Sequence, residues 1–288
     1  MNKVNFFGHE VTKLIVGDNP FNGHSYITDR VPGAEMKSYY TAEKIKETFR
    51  NIEKTGYNTM LPLADPYIVR LLEEYEAEGG NLQYIWQPFM PMNQEVSMRD
   101  ISKLNTIGIY HQGTTTDYLY ETGNIEQIKE NIKTWRQLGV PVGLGTHVPE
   151  VIERSEEENW GVDFYLACMQ NARRGRRGEQ SGFLTGKTKE ALIFYPEDRP
   201  VMLETLKKVE KPVIAFKLFA GGQMFEGKTH EEVRKTIKGA YDEVFSALKP
   251  NDIGAIGVFQ KDGDQVKENY ELYDEWHEEK YGAKSDEA

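Results

Sequence analysis

Short runs rich in Val, Ile, Leu, Phe and Tyr alternate along the chain with longer segments whose apolar positions recur every three to four residues. Near-continuous apolar runs suit parallel strands buried on both faces, and the longer amphipathic segments suit the helices that cover them. Eight such pairs are present. Their strands fall at 13–18 (KLIVGD), 57–63 (YNTMLPL), 82–88 (LQYIWQP), 106–111 (TIGIYH), 141–147 (PVGLGTH), 162–168 (VDFYLAC), 212–218 (PVIAFKL) and 252–259 (DIGAIGVF). Helix boundaries are clearest at 41–55, opened by Thr41 and closed before Gly56, then at 124–138 before Gly139, 229–248 before Pro250, and 264–280.

Eight strand–helix units with little surplus sequence predict an α/β fold of the (βα)8 TIM-barrel class rather than an open doubly wound sheet. The barrel is expected to occupy residues 1–280 as one domain, with 281–288 (YGAKSDEA) as a frayed tail. Two connections exceed the usual few residues, 18–40 after the first strand and 169–198 after the sixth. Both leave strand C-termini, where barrel enzymes carry binding loops.

Composition narrows the function classes. The 288 residues carry a formal net charge of -11, which opposes a nonspecific grip on nucleic acid or anionic lipid. No apolar run approaches the roughly 18 residues of a membrane span, and the N-terminus lacks a secretory core. The single cysteine, Cys168, has no partner for an internal disulfide. These features predict a cytoplasmic protein whose partner is a small-molecule substrate, with no nucleic acid or membrane partner; a homo-oligomer is left open.

Polar residues at strand ends face a barrel mouth, and these supply the candidate site. In GDNPFNGHSY the substrate-binding candidates are Asp18, Asn19, Asn22 and His24; a turn held by Asx chemistry is the plain alternative. Gln87, Gln112 and the arginines Arg173 and Arg174 of RRGRR at 173–177 join them as substrate contacts. Lys217 interrupts the apolar strand AFKLF, where an ammonium needs a partner or must lose its proton. It is a catalytic candidate, as a Schiff-base amine or an electrophile, with His111 as acid/base and His147 and Asp65 assisting. His111, His147 and Asp65 could alternatively hold a divalent metal, although no HxH or HExxH spacing is present. The Gly221-Gly222 pair offers backbone N–H groups to an anion. Cys168 reads as core rather than nucleophile.

Several segments also resemble the aldo/keto reductase barrel, from the second strand to the last helix. IGIYHQG (107–113) is similar to that family's fourth strand, VGLGTHVPEVIE (142–153) to its fifth, PVIAFKLFAGG (212–222) to its seventh, and GVFQKDGDQVKENYEL (257–272) to its eighth strand and following helix. The resemblance implies that His111 polarises a substrate carbonyl and that Phe216 stacks on a nicotinamide. It also implies that Lys261, Gln265 and Asn269 meet the adenine end of NAD(P); Gly221 and Gly222, as the anion site expected after strand 7, would join them as cofactor contacts. The family's Asp, Lys and Ser-Asn positions fall instead at Leu61, Gln87 and Gly145-Thr146, with no matching Tyr in the motif's spacing. A neutral amide cannot depress a tyrosine pKa as an ammonium does. The combined expectation is therefore a remote, non-redox member. It would be a lyase or isomerase acting next to a carbonyl of a small polyhydroxylated or acidic, sugar-like substrate. A NAD(P)H-dependent reductase and a non-catalytic ligand-binding barrel are the alternatives.

Overall fold

A computed structural model describes residues 1–174 and 192–282. The chain opens with an antiparallel hairpin, β1 (Lys3–Phe6) and β2 (His9–Thr12), turned at Phe7 and Gly8, whose φ values are both positive. Eight parallel strands then close into a barrel: β3 (Leu14–Gly17), β4 (Thr59–Leu61), β5 (Gln83–Trp86), β6 (Thr106–His111), β7 (Val142–Thr146), β8 (Phe164–Cys168), β9 (Val213–Phe216) and β10 (Ile253–Gly257). The ring closes where β10 pairs in parallel with β3, Gly254 opposite Leu14 and Gly257 opposite Gly17. The expected TIM barrel is thus present, with strands shorter than the apolar runs that announced them.

Alternation along the strands separates two cores. Ile15, Leu61, Ile85, Phe164, Leu166 and Ile214 point into the barrel, while Leu14, Val16, Met60, Leu144 and Tyr165 pack outward against the helices. The hairpin fills the N-terminal end of the barrel interior. Its Phe6 is fully buried and meets Phe164 edge-on, with centroids 5.1 Å apart.

The outer layer contains α1 (Gly33–Tyr39), α2 (Ala42–Thr55), α3 (Pro66–Ala77), α4 (Gln94–Ile101), α5 (Gly113–Glu121), α6 (Ile125–Trp135), α7 (Pro149–Glu158), α8 (Asp198–Leu206), α9 (His230–Ala247) and α10 (Gln265–Tyr281). Local chemistry sets their ends. Thr41 caps α2 by accepting from the Lys44 N–H, and Gly56 ends it in the left-handed region at φ 114°. A reciprocal Thr229–Glu232 capping box starts α9. The long 18–40 connection is structured by a 3-10 turn at Asn19–Asn22 and by α1. Tyr281 ends α10, so the expected tail begins a residue too early, and 283–288 lie outside the described residues. No helix among the described residues is long and apolar enough to cross a membrane.

Candidate functional site

The C-terminal ends of β7, β8 and β9 bring His147, Cys168 and Lys217 together. Lys217 directly follows β9 with a left-handed φ of 56°, a costly conformation for a residue with a Cβ. Its Nζ lies 2.9 Å from His147 Nε2, and His147 Nδ1 lies 2.7 Å from Asp117 Oδ2. Asp117, on α5, is fully buried and also accepts from the Thr146 hydroxyl at 2.5 Å and the His147 backbone N–H at 3.3 Å. This carboxylate assigns the tautomer: Nδ1 carries the proton, so Nε2 accepts and the Lys217 ammonium donates.

Aromatic faces surround the ammonium. The ring centroids of Tyr26, Phe216 and Phe194 lie 4.7, 5.4 and 5.5 Å from Nζ. Phe216 also meets the His147 ring edge-on at 5.6 Å. Burial disfavours charge on Lys217, but Cys168, Tyr26 and Asp117 outweigh it and hold the amine above its ordinary pKa. Burial likewise pushes the Cys168 thiol up, yet the Lys217 ammonium and the His147 ring reverse that and hold it below its ordinary value.

The first loop continues this mouth. Asn19 Nδ2 donates toward the Tyr26 hydroxyl at 3.4 Å. Asp18 is buried, and its Oδ2 accepts from the Leu63 N–H at 2.7 Å and from Asn22 Nδ2 at 3.4 Å. Burial first, and Asp65 in addition, push its carboxyl up to about 7 against the pull of the Leu63 N–H. Gln87 Oε1 accepts from the hydroxyl of Tyr110 at 2.9 Å.

His24 and Asn22 line a separate cleft of about 450 Å³ with Lys37, Leu63, Asp65, Pro66, Tyr67 and Phe89. Burial and then Lys37 hold the His24 imidazole below its ordinary value, which favours the neutral ring.

Several expected site residues serve the scaffold instead. His111 is fully buried on the helix side of β6, against the Trp135 ring at 5.2 Å. Its Nδ1 meets the Thr116 hydroxyl at 2.8 Å and its Nε2 meets Asn131 at 3.0 Å, while burial pulls its pKa down to about 3. The strand alternation that sends Tyr110 inward sends His111 outward, so the carbonyl-polarising role implied by the resemblance lacks its geometry. Asp65 caps α3, its Oδ1 accepting from the Tyr67 and Ile68 N–H groups. Gln112 caps α5 through Thr115. Arg173 forms a buried bidentate pair with Glu121, at 3.0 and 2.5 Å. Arg174 pairs with Asp198 and lies 5.0 Å from the Tyr195 ring centroid. The remainder of RRGRR lies outside the described residues.

The residues do not fit either expected cofactor. His111 and His147 have both ring nitrogens engaged and Asp65 is a helix cap, so the metal trio is not assembled. Among the described residues no group of three or more His, Cys, Asp and Glu could hold an ion. At the dinucleotide positions, Lys261 pairs with Glu35 at 2.5 Å and Gln265 Oε1 accepts from the Phe259 N–H at 2.8 Å. Asn269 is buried between the Tyr241 hydroxyl and the Gln265 carbonyl. Gly221 and Gly222 have positive φ, but the first loop covers them: a Cβ on Gly221 would lie 2.5 Å from Tyr26 Cβ. At Gly221 the missing side chain admits that loop.

Asp117 and Tyr26 are absent from the expected site, and Cys168, expected in the core, lies instead where the Lys217 ammonium and the His147 ring act on its thiol. Asp117 sits in a helix, and only the inward turn of α5 beneath His147 reveals it. Tyr26 had a signal in its place on the first long loop, but one aromatic among many did not stand out.

No family model matches the chain, and no curated protein matches it. Solved structures of similar fold include an aldo-keto reductase from Bacillus halodurans, with a TM-score of 0.55 and 11% identity over 95% of this chain and 91% of that one. A dihydropteroate synthase from Yersinia pestis has a TM-score of 0.53 and 10% identity over 97% and 99% of the two chains. A truncated 3-deoxy-D-arabino-heptulosonate 7-phosphate synthase from Thermotoga maritima has a TM-score of 0.52 and 11% identity over 98% and 91%. At these identities the likeness is one of fold, and it joins this chain to the architecture of TIM-barrel enzymes.

Proposed function

We propose that the protein is a non-redox enzyme, an isomerase or lyase that moves a proton on the carbon beside a carbonyl of a small polyhydroxylated or acidic substrate. The observation that carries this reading is the buried chain Asp117–His147–Lys217, with contacts of 2.7 and 2.9 Å, at the mouth of the barrel. Asp117 fixes the imidazole, the imidazole accepts from Lys217, and the remaining ammonium protons are left for a substrate oxygen. The retained charge makes Lys217 an electrophile rather than a Schiff-base amine. Cys168, whose thiol the Lys217 ammonium and the His147 ring hold below its ordinary value, takes the proton from the carbon in its deprotonated form. The C–H electron pair forms the enolate, and its oxygen rests on Lys217. Where that carbon bears a hydroxyl, passage of the hydroxyl proton to the enolate oxygen and return of the abstracted proton to the former carbonyl carbon completes an isomerisation; departure of a β-substituent with its bonding electron pair, protonated by the Cys168 thiol, completes an elimination.

The test is deuterium incorporation next to the carbonyl, followed by NMR in D2O over a panel of hydroxy-ketones and aldonic acids. The wild type should exchange at least one member. Lys217→Met should slow that exchange by about 10²–10³-fold, the range seen when one oxyanion donor is removed. A borohydride-trapped adduct on Lys217 would replace the electrophile role with imine chemistry. Quenching of tryptophan fluorescence by micromolar NADPH would restore the reductase reading, and absence of exchange across the panel would favour a ligand-binding barrel.

A further inference from the structure

One feature of the mouth is not used by the proton transfer: the cleft lined by Asn22, His24, Lys37, Asp65, Tyr67 and Phe89. At about 450 Å³ it is within the size range of small-ligand sites. Lys37 stands on its wall and makes no ion pair with any described residue, in a protein of net charge -11 where Lys44 pairs with Glu47 and Lys261 with Glu35. Tyr67 is 48% exposed, an aromatic ring held at the surface beside the lysine. The neutral His24 ring and the Asn22 amide add hydrogen-bonding groups without adding negative charge. Asp65, on the same wall, excludes a second anionic group and favours hydroxyls there.

The cleft is tied to the reacting end by one stretch of chain. Asn22 and His24 face the cleft, Asn22 also donates toward Asp18, and two residues past His24 the Tyr26 ring lies over the Lys217 ammonium. We infer that the cleft is the subsite for the anionic end of a polyhydroxylated substrate, with Lys37 holding a carboxylate or phosphate, Tyr67 packing against the carbon chain and the carbonyl end directed toward Lys217. This inference rests on the functional reading above and names the substrate class it requires.

The experiment is an NMR titration of the full chain with D-gluconate, inorganic phosphate and sorbitol, read at the backbone amides of Asn22, His24 and Tyr67. Gluconate or phosphate should give saturable shifts, which distinguishes a carboxylate from a phosphate end, and sorbitol should bind about tenfold more weakly or not at all. Lys37→Met, at an exposed position, should weaken anion binding by about tenfold, and Lys37→Arg should retain it. No saturable shift at about 50 mM, equal binding by Lys37→Met, or equal binding of sorbitol would each overturn the proposal. Lys217→Met should leave these shifts unchanged. Anion binding without Lys217-dependent exchange would therefore sink the reaction alone, and exchange without Lys37-dependent binding would sink the subsite alone.

Discussion

Replacing Asp18 with Asn should change how the stability of the protein depends on pH. The Asp18 carboxyl is buried at 6% exposure, and burial carries its pKa from 3.8 to about 7. Each tenfold change in proton affinity is worth about 1.36 kcal/mol, so the ionised form is disfavoured in the folded protein by about 4 kcal/mol. Between 3.8 and 7 the folded chain keeps a proton that the unfolded chain has released. The stability associated with this group is therefore complete below the unfolded value and is lost as pH rises through 7. Asn keeps an oxygen that can accept from the Leu63 N–H but does not titrate. Urea unfolding of both proteins at about pH 5 and about pH 8.5 should show the variant gaining about 2.7 kcal/mol on the wild type as pH rises, the rest of the effect having been lost already below pH 5. Other titrating groups are common to both proteins and cancel in the difference. A difference constant within about 0.5 kcal/mol between those pH values would refute the argument.

His111→Ala should cost about 2–4 kcal/mol by leaving Thr116 and Asn131 without their shared partner, yet it should leave deuterium exchange at the substrate carbon unchanged; the pair of measurements is urea unfolding and NMR in D2O. Gly221→Ala should lower stability by about 1–3 kcal/mol through its positive φ and the approach of Tyr26, and the near-UV circular dichroism of the displaced tyrosine should change with it. Phe6→Ala should cost about 3–5 kcal/mol by emptying the lower barrel, seen as a lower thermal midpoint with substrate exchange retained in the folded fraction.

The barrel was legible because parallel strands advertise themselves: runs such as KLIVG and FYLAC are apolar on both faces, and Gly56 and Gly139 mark helix ends in the sequence itself. The hairpin before β3 was not, since its Phe6 and Val11 are separated by the Phe7-Gly8 turn and the polar His9 and Glu10 and matter only once the ring exists to receive them. Lys217 stood out because a charge inside an apolar strand demands an explanation, and His147 followed from its place at a strand end. His111 had the same signature as His147 but the opposite direction. Which face a strand-end side chain takes depends on register, and register depends on the neighbouring strand. The polar groups at Gln112, Asp65 and Asn269 looked available because a helix cap and a binding contact use the same atoms; only the location of the N–H or O–H donors separates them.

The seam between β10 and β3 bears on how the molecule is made. Its two sides come from opposite ends of the chain, so during synthesis the first strand waits with an unmet edge until about residue 257 has left the ribosome. A fragment ending before Ile253 would present that edge permanently and should self-associate. Rejoining the termini and cutting the chain elsewhere would move this late seam to another pair of strands without altering the finished ring.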